Sequence, residues 1–215
     1  MNWKSFLWPQ IIHTSSSSIS KKIEVIEFLG SCSLRVNGLT QSGSVVCDIY
    51  KKILPYIKKI KLQKILILGF GAGTFAKQLN KKFKNIKITG VEIDKEIINI
   101  AQKYFFLENE KNIEILNLSA NQFLDDVNIN SSDQKYDLIF IDLYIGSIID
   151  KNVSSKEFLL KIKKFLAKNG IVVFNRLNYQ LHINENLNYL KFVKNIFRKV
   201  EFQKSYSNLL IFCEK

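Results

Sequence analysis

The chain has 215 residues, 47% of them hydrophobic, which suffices for the core of one large domain or of a domain with a small appendage. Its net charge is +13, but its arginines are only Arg35, Arg176 and Arg198 and the lysines punctuate helices, so nucleic acid is not an expected partner beyond weak binding without sequence preference. No run is apolar and long enough to span a bilayer, and Cys32, Cys47 and Cys213 stand apart from one another and from His13 and His182; this argues against a membrane protein, a disulfide framework and a metal site, and points to reduced thiols in a cytoplasmic protein.

The first residues carry Trp3, Phe6, Leu7 and Trp8 without the basic head or cleavage site of a secretion signal. The polar run Thr14-Ser15-Ser16-Ser17-Ser18 then predicts a mobile loop to about residue 20. Alternating runs over 23–28 and 33–36 flank Leu29-Gly30-Ser31 and predict a β-hairpin. This lead and hairpin, residues 1–47, precede a main domain over 48–215. There, helices near 48–59, 74–83, 95–106 and 156–167 alternate with strands at 65–68, 86–91, 113–118, 136–141 and 170–174, a rhythm that gives a parallel sheet covered on both faces. Residues 198–204 and 208–213 are joined only by Ser205-Tyr206-Ser207, so they pair antiparallel. The expected fold is therefore α/β: a Rossmann-like, doubly wound, mostly parallel seven-stranded sheet with an antiparallel C-terminal hairpin strand, preceded by a small β-hairpin.

The most informative stretch is Ile65-Leu66-Ile67-Leu68-Gly69-Phe70-Gly71-Ala72-Gly73-Thr74, followed about twenty residues on by Val91-Glu92-Ile93-Asp94. A buried strand that stops at closely spaced glycines lets the backbone approach a ligand, and Glu92 at the tip of the next strand can accept both hydroxyls of a ribose. A dinucleotide fingerprint needs its third glycine one position later, where Thr74 stands. No Gly-Lys-Ser/Thr follows, which argues against a triphosphate loop. The Gly-x-Gly-x-Gly form with Glu on the next strand resembles class I S-adenosylmethionine-dependent methyltransferases.

Other stretches narrow the resemblance. Leu34-Arg35-Val36-Asn37-Gly38-Leu39-Thr40-Gln41 with Tyr50 downstream, then the glycine loop, Val91-Glu92-Ile93-Asp94, Ser119-Ala120-Asn121-Gln122-Phe123-Leu124 and Tyr136-Asp137-Leu138-Ile139-Phe140-Ile141-Asp142 are similar, in order, to segments of spermidine synthases. The resemblance implies that Gln41 and Tyr50 line the sulfonium end of an adenosyl ligand and that Gly69, Gly71, Gly73, Glu92 and Ile93 hold its nucleoside. It also implies that Ser119 and Ala120 lie at the adenine and Asp142 beside the reacting centre. Several acids of the family are missing. Ala72 stands for the Asp of its glycine loop, Val46 and Cys47 for an Asp-Glu pair, Ile145 for the second Asp after the fourth strand, and Ser119 for the Asp at the adenine.

Because a polyamine needs carboxylates to balance its ammonium groups, these losses favour methyl transfer from S-adenosylmethionine to an unknown small acceptor. Asp142 and Tyr144 are the candidates for accepting a proton or orienting that acceptor, and no metal is called for. Two alternatives remain open. One is aminopropyl transfer from decarboxylated S-adenosylmethionine, with Asp48 or Asp150 supplying acid; the other is a nucleoside-binding protein without catalysis. The hairpin and aromatic lead offer a surface for a homodimer.

Overall fold

A computed structural model describes residues 3–105, 107, 110–126, 134–145, 148–149, 151–205 and 207–215. After a helical turn at Trp3–Phe6, strands β1 (Gln10–Ser15), β2 (Ile23–Phe28), β3 (Ser31–Val36) and β4 (Leu39–Thr40) form an antiparallel sheet in that order. The expected hairpin is β2 and β3, and it is the middle of a four-stranded meander.

Strand β1, which takes in Thr14 and Ser15 of the expected loop, pairs with β2 across a bulge at Ile11/His13. Both faces of β1 are half exposed, so its sequence lacks the strong alternation of a strand with one buried side. The serines beyond it are tied down. Ser17 Oγ accepts the N–H groups of Ile19 and Ser20, and Ser17 and Ser20 donate their hydroxyls to Asp94 Oδ2 at 2.6 and 2.8 Å. Asp94 is only 1% exposed, so this clasp satisfies a buried carboxylate and docks the N-terminal sheet on the main one.

The helix expected over 48–59 is two pieces, α1 (Ser44–Lys51) and α2 (Leu54–Ile57). Pro55 has no N–H to give to a continuing helix, and it sits in the first turn of α2, where none is needed. Then follow β5 (Lys64–Leu68), α3 (Thr74–Lys82), β6 (Lys87–Val91), α4 (Lys95–Phe105), β7 (Ile113–Leu116), α5 (Ala120–Asp125) and β8 (Tyr136–Ile141). Two-residue strands β9 (Tyr144–Ile145) and β10 (Ile148–Ile149) pair with each other before α6 (Lys156–Phe165), β11 (Leu166–Leu177), α7 (Ile183–Lys194), β12 (Lys199–Ser205) and β13 (Asn208–Glu214). Tyr206, in the expected C-terminal turn, lies outside the described residues.

The main sheet has seven strands in the order β12-β13-β11-β8-β5-β6-β7. Neighbours from β11 to β7 run parallel, and β13 is antiparallel to both β11 and β12. Sequence explains why the last strand lies inside its predecessor. β13 is buried from Asn208 to Cys213, whereas β12 alternates exposed Lys and Glu, as a solvent edge requires. One core cluster joins the N-terminal sheet and α1 to α4 to one face, and a second holds α5, α6 and α7 on the other. Helix α7, unmarked by a clear apolar period, buries Asn186, Tyr189, Leu190 and Val193 at helical spacing. Among the described residues no helix is long and apolar enough to cross a membrane, and no cluster of His, Cys, Asp and Glu has the make-up of a metal site.

Candidate active site

The parallel strands deliver their C-terminal tips to one side, where a cavity of about 340 Å³ opens. Such crevices collect ligands in open α/β sheets. At Gly69, with φ 82°, a Cβ would lie 2.1 Å from the carbonyl oxygen of Asp142, so glycine alone lets the tips of β5 and β8 meet. Gly73, at φ 73°, caps α3 behind the cavity, and a Cβ there would strike Leu107 at 2.6 Å. Gly71 faces open space, and its N–H donates to Glu92 Oε2 at 2.8 Å.

Glu92 Oε1 accepts the Asp94 N–H at 3.1 Å, so both carboxylate oxygens are aimed by backbone before any ligand arrives. Burial pushes its pKa up, and the Asp94 and Gly71 N–H groups oppose that shift. The next residue, Ile93, lines the cavity with 43% of its surface exposed, an apolar face for a planar base. Ser119 and Ala120 close this end. Ser119 is the N-cap of α5 in a capping box, its Oγ accepting the Gln122 N–H while Gln122 Oε1 accepts its own N–H.

The other end is built around Asp142 at the tip of β8. Tyr50 donates its hydroxyl to Asp142 Oδ2 at 2.8 Å, Asn175 donates a second hydrogen bond, and Asn208 Nδ2 donates in turn to Asn175 Oδ1 at 2.8 Å. Burial raises the Asp142 pKa, and the bonds from Tyr50 and Asn175 hold it down. Tyr50 is itself buried against Phe75 and Phe140 at centroid distances of 5.1 and 5.3 Å, and desolvation with the adjacent carboxylate drives its pKa well up. Tyr144 accepts the Leu177 N–H at 2.5 Å, and burial likewise pushes its pKa up. Tyr144 thus stays a neutral hydroxyl with its proton free to donate, while Asp142 is the group able to take one.

The cavity brings together Gln41, Tyr50, Gly69, Gly71, Glu92, Ile93, Ser119, Ala120, Asp142 and Tyr144; Gly73 stands behind it. Ala72 and Val46 line it as apolar surface. Asp48 is outside, paired with Lys51 at 2.6 Å, and Asp150 and the side chain of Ile145 lie outside the described residues. Unforeseen lining residues are Thr74, hydrogen-bonded through its hydroxyl to Ser42, and the amides Asn175 and Asn208. Asn175 had a signal, as a polar residue inside the apolar run of β11.

Together the sheet order, the glycine loop and the acid on the next strand define a Rossmann-like fold of the class I methyltransferase type. Within that class the chain belongs to the spermine/spermidine synthase family, whose domain matches residues 48–212. It is 36% identical over 110 residues to a probable polyamine aminopropyl transferase of Bifidobacterium longum, a match covering 51% of this chain and 23% of that protein. It is 30% identical over 115 residues to the polyamine aminopropyltransferase of Vibrio vulnificus, covering 54% of this chain and 38% of that one. The chain therefore spans less than half the length of either relative. A probable spermidine synthase from Corynebacterium glutamicum shares the fold at TM-score 0.83 and 18% identity, over 95% of this chain and 80% of the other.

Proposed function

We propose that this chain moves the aminopropyl group of decarboxylated S-adenosylmethionine to the nitrogen of an amine. The observation that carries the reading is the charge of the cavity. Glu92 and Asp142 are its carboxylates among the described lining residues, and no Lys, Arg or His accompanies them there. A buried carboxylate and a half-buried one, both with pKa values raised by desolvation, suit a ligand bearing a sulfonium and an ammonium. Methyl transfer from S-adenosylmethionine itself, favoured by the missing acids, would bring a carboxylate to the same walls with no described cation to meet it. Membership of the spermine/spermidine synthase family and the names of the relatives support the aminopropyl reading over it.

In this reading Glu92 holds the ribose and Ile93 packs on the base, while Tyr50 and Asn175 keep Asp142 directed at the reacting end. The amine lone pair forms a bond to the propyl carbon attached to sulfur, the carbon–sulfur bond breaks, and its electron pair leaves neutral methylthioadenosine. The proton lost by the new secondary ammonium passes to Asp142 and on to solvent. Sulfonium is an activated leaving group, so in-line positioning supplies most of the acceleration. The test is to incubate the protein with a primary amine and either decarboxylated or intact S-adenosylmethionine, and to separate the products. Methylthioadenosine from the decarboxylated donor is expected; S-adenosylhomocysteine alone would restore methyl transfer, and neither product would leave a binding protein.

A further inference from the structure

Given aminopropyl transfer, on which this inference rests, the acceptor is held by whatever lies beyond Asp142. The sheet order divides the cavity: the nucleoside occupies the tips of β5, β6 and β7, which leaves the tips of β8, β11 and β13 for the acceptor. There the wall is Leu143, Tyr144, Val153, Leu177, Tyr179 and Ser207, with Asn175 and Asn208 beneath. The amides are engaged in the chain from Asn208 through Asn175 to Asp142, so they support the carboxylate that faces the sulfonium.

Apart from Asp142, the described wall at this end offers a further cation no charged partner. Arg176, 4% exposed, lies on the β11 tip with its guanidinium 4.0 Å from the centroid of Tyr189 and Nη1 3.4 Å from Ser154 Oγ, and at the Tyr144 hydroxyl its field is opposed by those of Asp142 and Glu185. Glu185 pairs with it at 2.8 Å from outside the cavity wall, so the two charges offset each other and neither faces the acceptor. A second ammonium would therefore lose its hydration and meet hydroxyls, amides and aliphatic carbon with no described carboxylate. Apolar surface, by contrast, is plentiful where the cavity opens. Tyr179 is 46% exposed, and Leu181 and Ile183, just after it, are 92% and 43% exposed.

We infer that the acceptor is a primary monoamine with a neutral, apolar or aromatic tail, rather than a diamine. Asp142 takes the proton of its single nitrogen, and Leu177 and Tyr179 cover its tail. Tyr179 is the specificity position, because its exposure leaves room to change the chemistry of the wall without disturbing the core.

Binding tests this without requiring turnover. The full chain is saturated with methylthioadenosine, and its thermal unfolding is followed while 2-phenylethylamine, butylamine or 1,4-diaminobutane is titrated in. The monoamines are expected to act at concentrations about tenfold lower than the diamine, with phenylethylamine the strongest, since each lost tenfold corresponds to one modest desolvation penalty. Tyr179→Glu should narrow or invert that order by offering the second ammonium a partner. A stronger response to 1,4-diaminobutane, no response to any amine, or an unchanged order in Tyr179→Glu would overturn the inference; in the first case Asp150→Asn would show whether that residue supplies the second carboxylate. The response to methylthioadenosine alone reports separately on the adenosyl site. Its absence would remove the transfer reading and the inference with it, whereas amine selectivity without product formation would sink the transfer reading and leave only the amine preference of the cavity standing.

Discussion

At the tips of β5 and β6 the groups that face a ligand are main-chain amides and one carboxylate locked between them, whereas at the tips of β8, β11 and β13 they are side chains from segments as distant as Tyr50 and Asn208. The first end is fixed by backbone geometry. Its Glu92 cannot turn without leaving the Gly71 and Asp94 N–H groups unpaired, so substitutions there should act as near switches. The second end is a relay of hydroxyls and amides around Asp142, whose parts can be exchanged one at a time. In the proposed function, nucleoside recognition would thus be rigid and acceptor recognition adjustable, which suits one fold to different transfers.

The sharpest way to break this contrast is at the rigid end. Glu92→Ala should abolish most adenosyl-ligand binding, by about a hundredfold or more, since the carboxylate proposed to accept two ribose hydroxyls is lost. Gly69→Ala should be at least as severe and lower stability too, because its Cβ would sit 2.1 Å from the Asp142 carbonyl at a φ of 82°. Calorimetric titration with methylthioadenosine checks both. Near-native affinity in either variant would show that the backbone does not set the nucleoside end.

Asp142→Asn addresses the adjustable end and separates binding from chemistry. Turnover should fall by about a hundredfold with little change in methylthioadenosine affinity. Stability should move the other way. Burial raises the folded-state pKa of Asp142 above its unfolded value, so its contribution is present in the protonated form at acid pH and lost as pH rises through the folded pKa. At neutral pH the ionised group is a cost to the ligand-free protein, and an amide can still accept from Tyr50. The variant should therefore unfold at a higher temperature than wild type at pH 7, with the gap closing toward pH 4. A lower melting temperature at pH 7 would mean that the Tyr50 and Asn175 bonds outweigh desolvation.

The same contrast decides what the sequence reveals. Gly69, Gly71 and Glu92 act through turns and strand tips, and those are local features that spacing records. Asp142 is visible as an acid that ends an apolar strand. Asn175 shows only as a polar residue inside an apolar strand and Asn208 not at all, because what defines their role is a partner 33 residues away, whereas the helix break at Pro55 is a local feature that its missing N–H explains. The serine run shows the limit best. Composition alone makes Ser17 and Ser20 a solvated loop, and only the fold brings them within 2.6 and 2.8 Å of Asp94, 77 and 74 residues on. The chemistry is similarly out of reach of local pattern: absent acids point to methyl transfer, while the cavity's remaining charges and the family favour the aminopropyl alternative.

That clasp supplies a milder test. Ser17→Ala with Ser20→Ala removes both side-chain donors from Asp94 Oδ2, at about 1–3 kcal/mol of stability. Because the Asp94 N–H also holds Glu92, the loss should appear as a several-fold rise in KM for the adenosyl donor with kcat nearly unchanged. Equal falls in kcat and kcat/KM would instead place the effect at the reacting centre.

The smallest effect is expected from Tyr144→Phe. Its hydroxyl accepts the Leu177 N–H at the end of β11, where the cavity wall continues to Tyr179, so the ring holds the acceptor wall in place and the oxygen adds one hydrogen bond. Removing the oxygen leaves one N–H for cavity water to satisfy, a loss of about 1 kcal/mol in stability. If Tyr144 only orients the acceptor, the amine KM should rise several-fold while methylthioadenosine affinity and the pH dependence of kcat stay put. Its pKa, driven up by burial, already keeps it from serving as a base near neutral pH. A fall in kcat comparable to that of Asp142→Asn, with an altered pH profile, would instead make Tyr144 part of the proton path and turn the acceptor end into a site as rigidly specified as the nucleoside end.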